Sequence, residues 1–131
     1  MSIFHNYAAE ILVLLFLIIT FFQSGIDKLT DWKGNVAFIT DHFKNSPLQK
    51  MVPLLLLTVL IFEIVAGILM LLGVYYLLAE DSASIAKVGL EFAAITLMML
   101  LIGQRLAKDY AGAMSITVYF ILTILGLYLL N

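Results

Sequence analysis

Residues 51–78 read MVPLLLLTVLIFEIVAGILMLLGVYYLL, with a single charged side chain, Glu63. A helix needs about 20 mainly apolar residues to cross the hydrocarbon core of a bilayer. This stretch exceeds that length, so it reads as a membrane span long enough to tilt. Three further stretches satisfy the same criterion, at about residues 7–25, 84–104 and 111–130. They are too continuous for barrel strands, which alternate apolar and polar residues. The expected fold is therefore all-α, a single integral membrane four-helix bundle.

Composition supports a lipid solvent. The chain has 131 residues, 63% of them hydrophobic and only 12% charged, with a mean hydropathy of +1.09. Soluble domains carry about a quarter charged residues. A net charge of −2 gives no basis for nucleic acid as a partner, and the lack of cysteine removes disulfides and thiolate metal sites. His5 and His42 fall at opposite ends of the expected bundle, so no metal site is expected. Met1–Ile11 carries no Lys or Arg but holds Glu10, and no small-residue cleavage site follows the apolar run. The first stretch is thus expected to remain as a helix rather than act as a cleaved signal.

About 25 residues separate the first two spans. Trp32, Val36, Ile39 and Phe43 recur there at helical spacing, with Lys33, Asn35, Thr40 and Asp41 on the other side. This predicts a short amphipathic helix over about 31–43 lying on the membrane surface, capped by Thr30 or Asp31. Asn45-Ser46-Pro47 reads as a turn, and Pro53 sits in the first turn of the next span, where its missing N–H costs little. Loops one and three hold Lys28, Lys33, Lys44, Lys50, Arg105 and Lys108, whereas the other side has only Lys87. The positive-inside rule then predicts both termini outside, loops one and three in the cytoplasm, and residence in a bacterial-type inner membrane.

Charged residues within spans point to function by default. Counting from the expected helix ends at 1.5 Å per residue puts Glu63 roughly 18 Å, Glu91 roughly 20 Å and Glu10 roughly 22 Å above the cytoplasmic end, with Thr123 at roughly 18 Å. A layer of carboxyls at one depth is expected, without a Lys or Arg beside it. Such a layer would leave at least one of Glu63 and Glu91 protonated, through desolvation and mutual repulsion. Lys87, four residues before Glu91, is placed to pair partly with it while snorkelling outward.

A second polar group gathers at the cytoplasmic end. Gln23 and Asp27, and Ser24 and Lys28, share faces by i, i+4 spacing. Gly25 permits close approach, and Gln104, Arg105, Lys108 and Asp109 fall at the same level, where Asp27 and Asp31 are placed to pair with Arg105 or Lys108. Gly67 shares a face with Glu63. Tyr119 is placed to reach a carboxyl across the bundle. The candidate site residues are thus Glu63 as the proton-handling group, with Gln23, Ser24, Gly25, Lys28, Gly67, Glu91, Arg105 and Tyr119 around a ligand.

Two of these segments resemble a known family. Phe22-Gln-Ser-Gly-Ile-Asp-Lys-Leu29 is similar to a signature of DoxX-like membrane proteins. Phe62-Glu-Ile-Val-Ala-Gly67 resembles that family's Glu-x-x-x-Gly pattern. The resemblance implies a four-helix membrane protein tied to redox systems, acting as an accessory or quinone-linked subunit, with a quinone as the electron carrier and no cofactor within the chain. It points to Ser24, Gly25, Lys28, Glu63 and Gly67. Partners are expected to be the bilayer and either a membrane protein or further copies of the chain. A structural subunit of a larger complex is the first alternative. A small proton-coupled transporter using Glu10 is the second.

Overall fold

The computed structural model describes residues 5–131. Among the described residues, five helices follow in order: α1 (Ala8–Thr30), α2 (Trp32–His42), α3 (Val52–Glu80), α4 (Ser84–Leu106) and α5 (Tyr110–Leu130), with a 3₁₀ turn at Gln49–Met51 leading into α3. No strand occurs among the described residues. The spans Ala8–Thr30, Gln49–Glu80, Ser84–Leu106 and Tyr110–Leu130 are each long and apolar enough to cross a membrane. The chain is a multi-pass membrane protein. Around the bundle α1 packs on α3, α3 on α4, α4 on α5, and α5 closes back on α1.

Local chemistry explains the ends. Asp31 terminates α1 and begins α2, its carboxylate accepting from Gly34 N–H at 3.2 Å. Asp109 likewise begins α5, its carboxylate accepting from Gly112 N–H at 2.9 Å. Each satisfies an orphan donor of the first turn. Pro53 occupies the first turn of α3. The Asn35 amide donates to the Asp27 and Asp31 carbonyls at 3.1 and 2.8 Å, binding α2 to the end of α1.

The largest departure from the sequence reading is α1, which runs past Gly25 to Thr30. Its polar last turn was expected to lie outside the helix. Instead the Thr30 hydroxyl donates to the Ile26 carbonyl and Lys28 reaches back to Ser24, so the side chains support another turn.

Close contacts fix the register. A Cβ added at Gly73 would lie 2.5 Å from Ala86 Cα, and one at Gly89 would lie 2.8 Å from the Met70 nitrogen. Backbones touch there, as small residues permit in membrane bundles. Gly67 holds the Phe22 ring, and Gly126 meets Val13 and Leu90. These contacts overturn the single carboxyl layer. They set Glu91 opposite Ile68, five residues beyond Glu63 and so roughly 8 Å further along the bundle. Glu10 stands opposite Leu78, roughly 15 Å further again. Counting from helix ends failed because the assumed ends are not level: Gly25 of α1 stands opposite Ile64, well above Met51, and the α3–α4 register sets Gln104 opposite Leu55.

Tight packing fills the half of the bundle away from the lysine-rich loops. Leu14 and Leu17 of α1, Met70 and Leu77 of α3, and Leu90 and Ala93 of α4 are all wholly buried there. At that end the Tyr7 hydroxyl donates to the Asp81 carboxylate. This bond, followed by desolvation and the charges of Asp81 and Glu10, raises the Tyr7 pKa above its ordinary value of 10.0. Because the folded pKa lies above the unfolded one, the bond contributes fully below pH 10 and is lost as pH rises through the folded pKa. Thermal unfolding in detergent should therefore show wild type losing stability above pH 10 more steeply than Tyr7→Phe.

Candidate functional site

The lysine-rich half is hollow. A cavity of about 560 Å³ opens between the ends of α1, α3 and α4 and the inner side of α2. Sites for small molecules commonly measure ~300–1,000 Å³ and combine apolar walls with a few placed polar groups. Leu55, Leu56, Val59, Met99 and Leu100 supply the apolar wall here. The polar groups are Ser24, Lys28, Asn35, His42, Thr58, Gln104 and Asp109.

Lys28 anchors the polar wall. Its Nζ lies 2.9 Å from Glu63 Oε1, with side-chain exposures of 13% and 3%. It donates to Ser24 Oγ at 2.6 Å and reaches the Ser24 carbonyl only at 3.4 Å. Glu63 therefore does have a cationic partner, contrary to expectation. The extra turn of α1 brings Lys28 level with Glu63, and the long lysine stem does the rest. Glu63 is not on the cavity wall; Lys28 stands between it and the open space. The pair is closely apposed, yet Oε1 receives no aligned hydrogen bond.

Gln104 supplies a complementary feature. Its Oε1 is buried and has no hydrogen-bond partner. A buried acceptor left unpaired costs about 1–3 kcal/mol. Two rims of the cavity are joined by His42 and Asp109, whose Nε2 and Oδ2 lie 3.3 Å apart. Phe43, beside His42, packs over Gly103 of α4. A short helix does occupy Trp32–His42, but Asn35, expected on its polar side, lines the cavity together with Phe38, Ile39 and His42, and Phe38 is 68% exposed.

The sequence candidates sort into three groups. Ser24 and Lys28 line the cavity. Gly25, Glu63 and Gly67 lie behind it in the α1–α3 seam, where Gly25 faces Leu60 and Ile64 and Gly67 faces Phe22. Gln23, Glu91, Arg105 and Tyr119 stand apart from the cavity. Gln23 is exposed, and the Arg105 guanidinium sits 5.1 Å from the centre of the Tyr110 ring. Tyr119 packs against Phe16, with ring centres 6.3 Å apart, and its hydroxyl bonds no described residue. Glu91 faces outward from the bundle.

Asp27 and Asp31 pair with neither Arg105 nor Lys108; Asp109 takes His42 instead. Thr123 and Thr96 are fully buried and spend their hydroxyls on the Tyr119 and Phe92 carbonyls. Reading the sequence missed Asn35 and His42 as cavity residues. Their signal was the amphipathic spacing of α2, which placed them on a helix without saying what that helix covers.

The DoxX family model matches residues 11–107, from the second turn of α1 to the end of α4. No curated protein and no solved structure matches the chain.

Proposed function

The chain belongs to the DoxX family, and on that premise we propose that it is an accessory subunit of a membrane redox system that holds a quinone or quinol head group in its lysine-rich cavity. The lysine-rich end faces the cytoplasm of a bacterial-type inner membrane, with α2 at the membrane surface.

The observation that carries this reading is the unpaired Gln104 Oε1, which shares with a lysine donor the wall of a largely apolar cavity. A quinol offers hydroxyl protons to Gln104 Oε1. A quinone offers carbonyl oxygens to Lys28 Nζ, whose long contact to the Ser24 carbonyl is readily exchanged. The isoprenoid tail would follow the leucine wall toward lipid. Electrons would be carried by the quinone, since no side chain here is suited to hold them. Glu63 acts through Lys28: its charge balances the ammonium and fixes the orientation of the donor.

Trp32 is the sole tryptophan of the chain and stands at the start of α2. In nanodiscs, decyl-ubiquinol and decyl-ubiquinone should quench its fluorescence saturably. Gln104→Leu should weaken decyl-ubiquinol binding by about tenfold. The same change should leave the protein as stable or more stable, because a buried unpaired acceptor is removed. Binding curves that coincide for the variant and wild type, or the absence of saturable quenching, would remove the proposal.

A further inference from the structure

Glu91 is a carboxyl on the outer face of α4, two turns inside the span. Its neighbours on that face are Val88, Ile95, Met98 and Ile102, between 42% and 58% exposed. Among the described residues Glu91 has neither an ion pair nor a hydrogen-bond partner. A polar side chain directed into lipid is costly, and such residues face protein or a water-filled cavity. The outward faces of the other spans, such as Met114, Val118, Ile121 and Leu125 of α5 or Leu12, Phe16 and Ile19 of α1, are apolar and need no cover.

We propose that a second copy of this chain covers α4, forming a parallel twofold dimer with Glu91 at its centre. The argument is charge complementarity. Lys87 lies one turn before Glu91 and is half-buried on the neighbouring part of the same face. Within one chain the two do not pair. A twofold axis along the membrane normal makes every contact reciprocal. Each Lys87 then reaches the Glu91 of the other copy, and four charges sum to zero around the axis. A partner of different sequence would need a cation of its own at this depth. A second copy brings one in the right place. Val88, Ile95, Met98 and Ile102 continue the seam at the alternating spacing of three and four that helix pairs use.

The chain has no cysteine, so single cysteines report contacts cleanly. In native membranes, Val88→Cys and Ile95→Cys should form disulfide-linked dimers on mild oxidation, whereas Ile121→Cys on α5 should not. Glu91→Lys should lower the dimer fraction in liposomes by about tenfold, measured by energy transfer between labelled copies. The charge exchange Lys87→Glu with Glu91→Lys should restore it. Crosslinking at Ile121→Cys alone, capture of a different protein at Ile95→Cys, or monomers throughout would overturn the proposal. The cysteine variants keep the test valid if Glu91→Lys fails to insert.

Discussion

Replacing Lys28 with methionine should destabilise the protein by about 3–5 kcal/mol, because it leaves the Glu63 carboxylate buried and uncompensated. With its side chain 3% exposed, Glu63 has no route to water once the ammonium is gone. The double variant Lys28→Met with Glu63→Leu should recover most of the loss. Both charges are then removed together, and apolar side chains of similar size fill the seam between α1 and α3. Unfolding in a mixed detergent series would measure both. A loss below ~1 kcal/mol for the single variant is the result expected of an exposed pair, and it would show that the two charges are solvated. The same pair of variants separates stability from binding. If Lys28 also serves a ligand, the double variant will be stable and yet bind decyl-ubiquinone weakly.

The second large effect is expected at Gly73. Its α-carbon faces the Ala86 backbone so closely that an added Cβ would come within 2.5 Å of Ala86 Cα. Backbone cannot rotate away as a side-chain tip can. Gly73→Ala should therefore cost about 1–3 kcal/mol by overpacking, despite the ~1 kcal/mol gain in helix propensity. Gly73→Leu should cost more and part α3 from α4. Gly25→Ala is the control. The nearest atom to its added Cβ is Ile64 Cγ1 at 3.6 Å, an ordinary contact. That variant should be neutral or mildly stabilising. Gly67→Ala falls between, since the atoms in its way belong to the Phe22 ring. Equal losses at Gly25 and Gly73 would mean that the close α3–α4 contact is absent.

These two cases also mark what was legible in the sequence. The four spans were plain because hydrophobic runs of this length have few other uses. The cap at Asp31 and the place of Pro53 follow from local chemistry, whereas Asp109, the cap of α5, was read only as a loop charge. Register was not legible. Depth was counted from helix ends, and the ends of α1 and α3 are set by packing that the sequence does not spell out. Five additional residues of α1 move Lys28 from a loop charge to the partner of Glu63. The unequal levels of the helix ends separate three carboxyls that had been placed in one layer.

The two family-like segments were read as a site, and they are first of all a seam. Phe22 lies on Gly67, Gly25 on Ile64, and Lys28 on Glu63. Only Ser24 and Lys28 reach through to the cavity. The cavity itself could not be seen, because it depends on how α2 folds back beneath α3 and α4.

The Lys28–Glu63 pair also bears on how the molecule is assembled. During synthesis α1 enters the bilayer before α3 exists, so Lys28 waits at the end of its helix without its partner. Glu63 then arrives in the middle of the most apolar of the four spans. One ionised residue at a helix centre opposes insertion by about 2.5–3.5 kcal/mol, while each Leu, Ile, Val or Phe favours it by ~0.3–0.6. The leucine-rich flanks of α3 are therefore sufficient to carry its glutamate across unaided. Pairing follows as a separate event within the membrane, and it can occur only when the two helices have met in the correct register. The ion pair is thus a proofreading contact: a bundle assembled out of register would hold a lysine and a glutamate that cannot find each other.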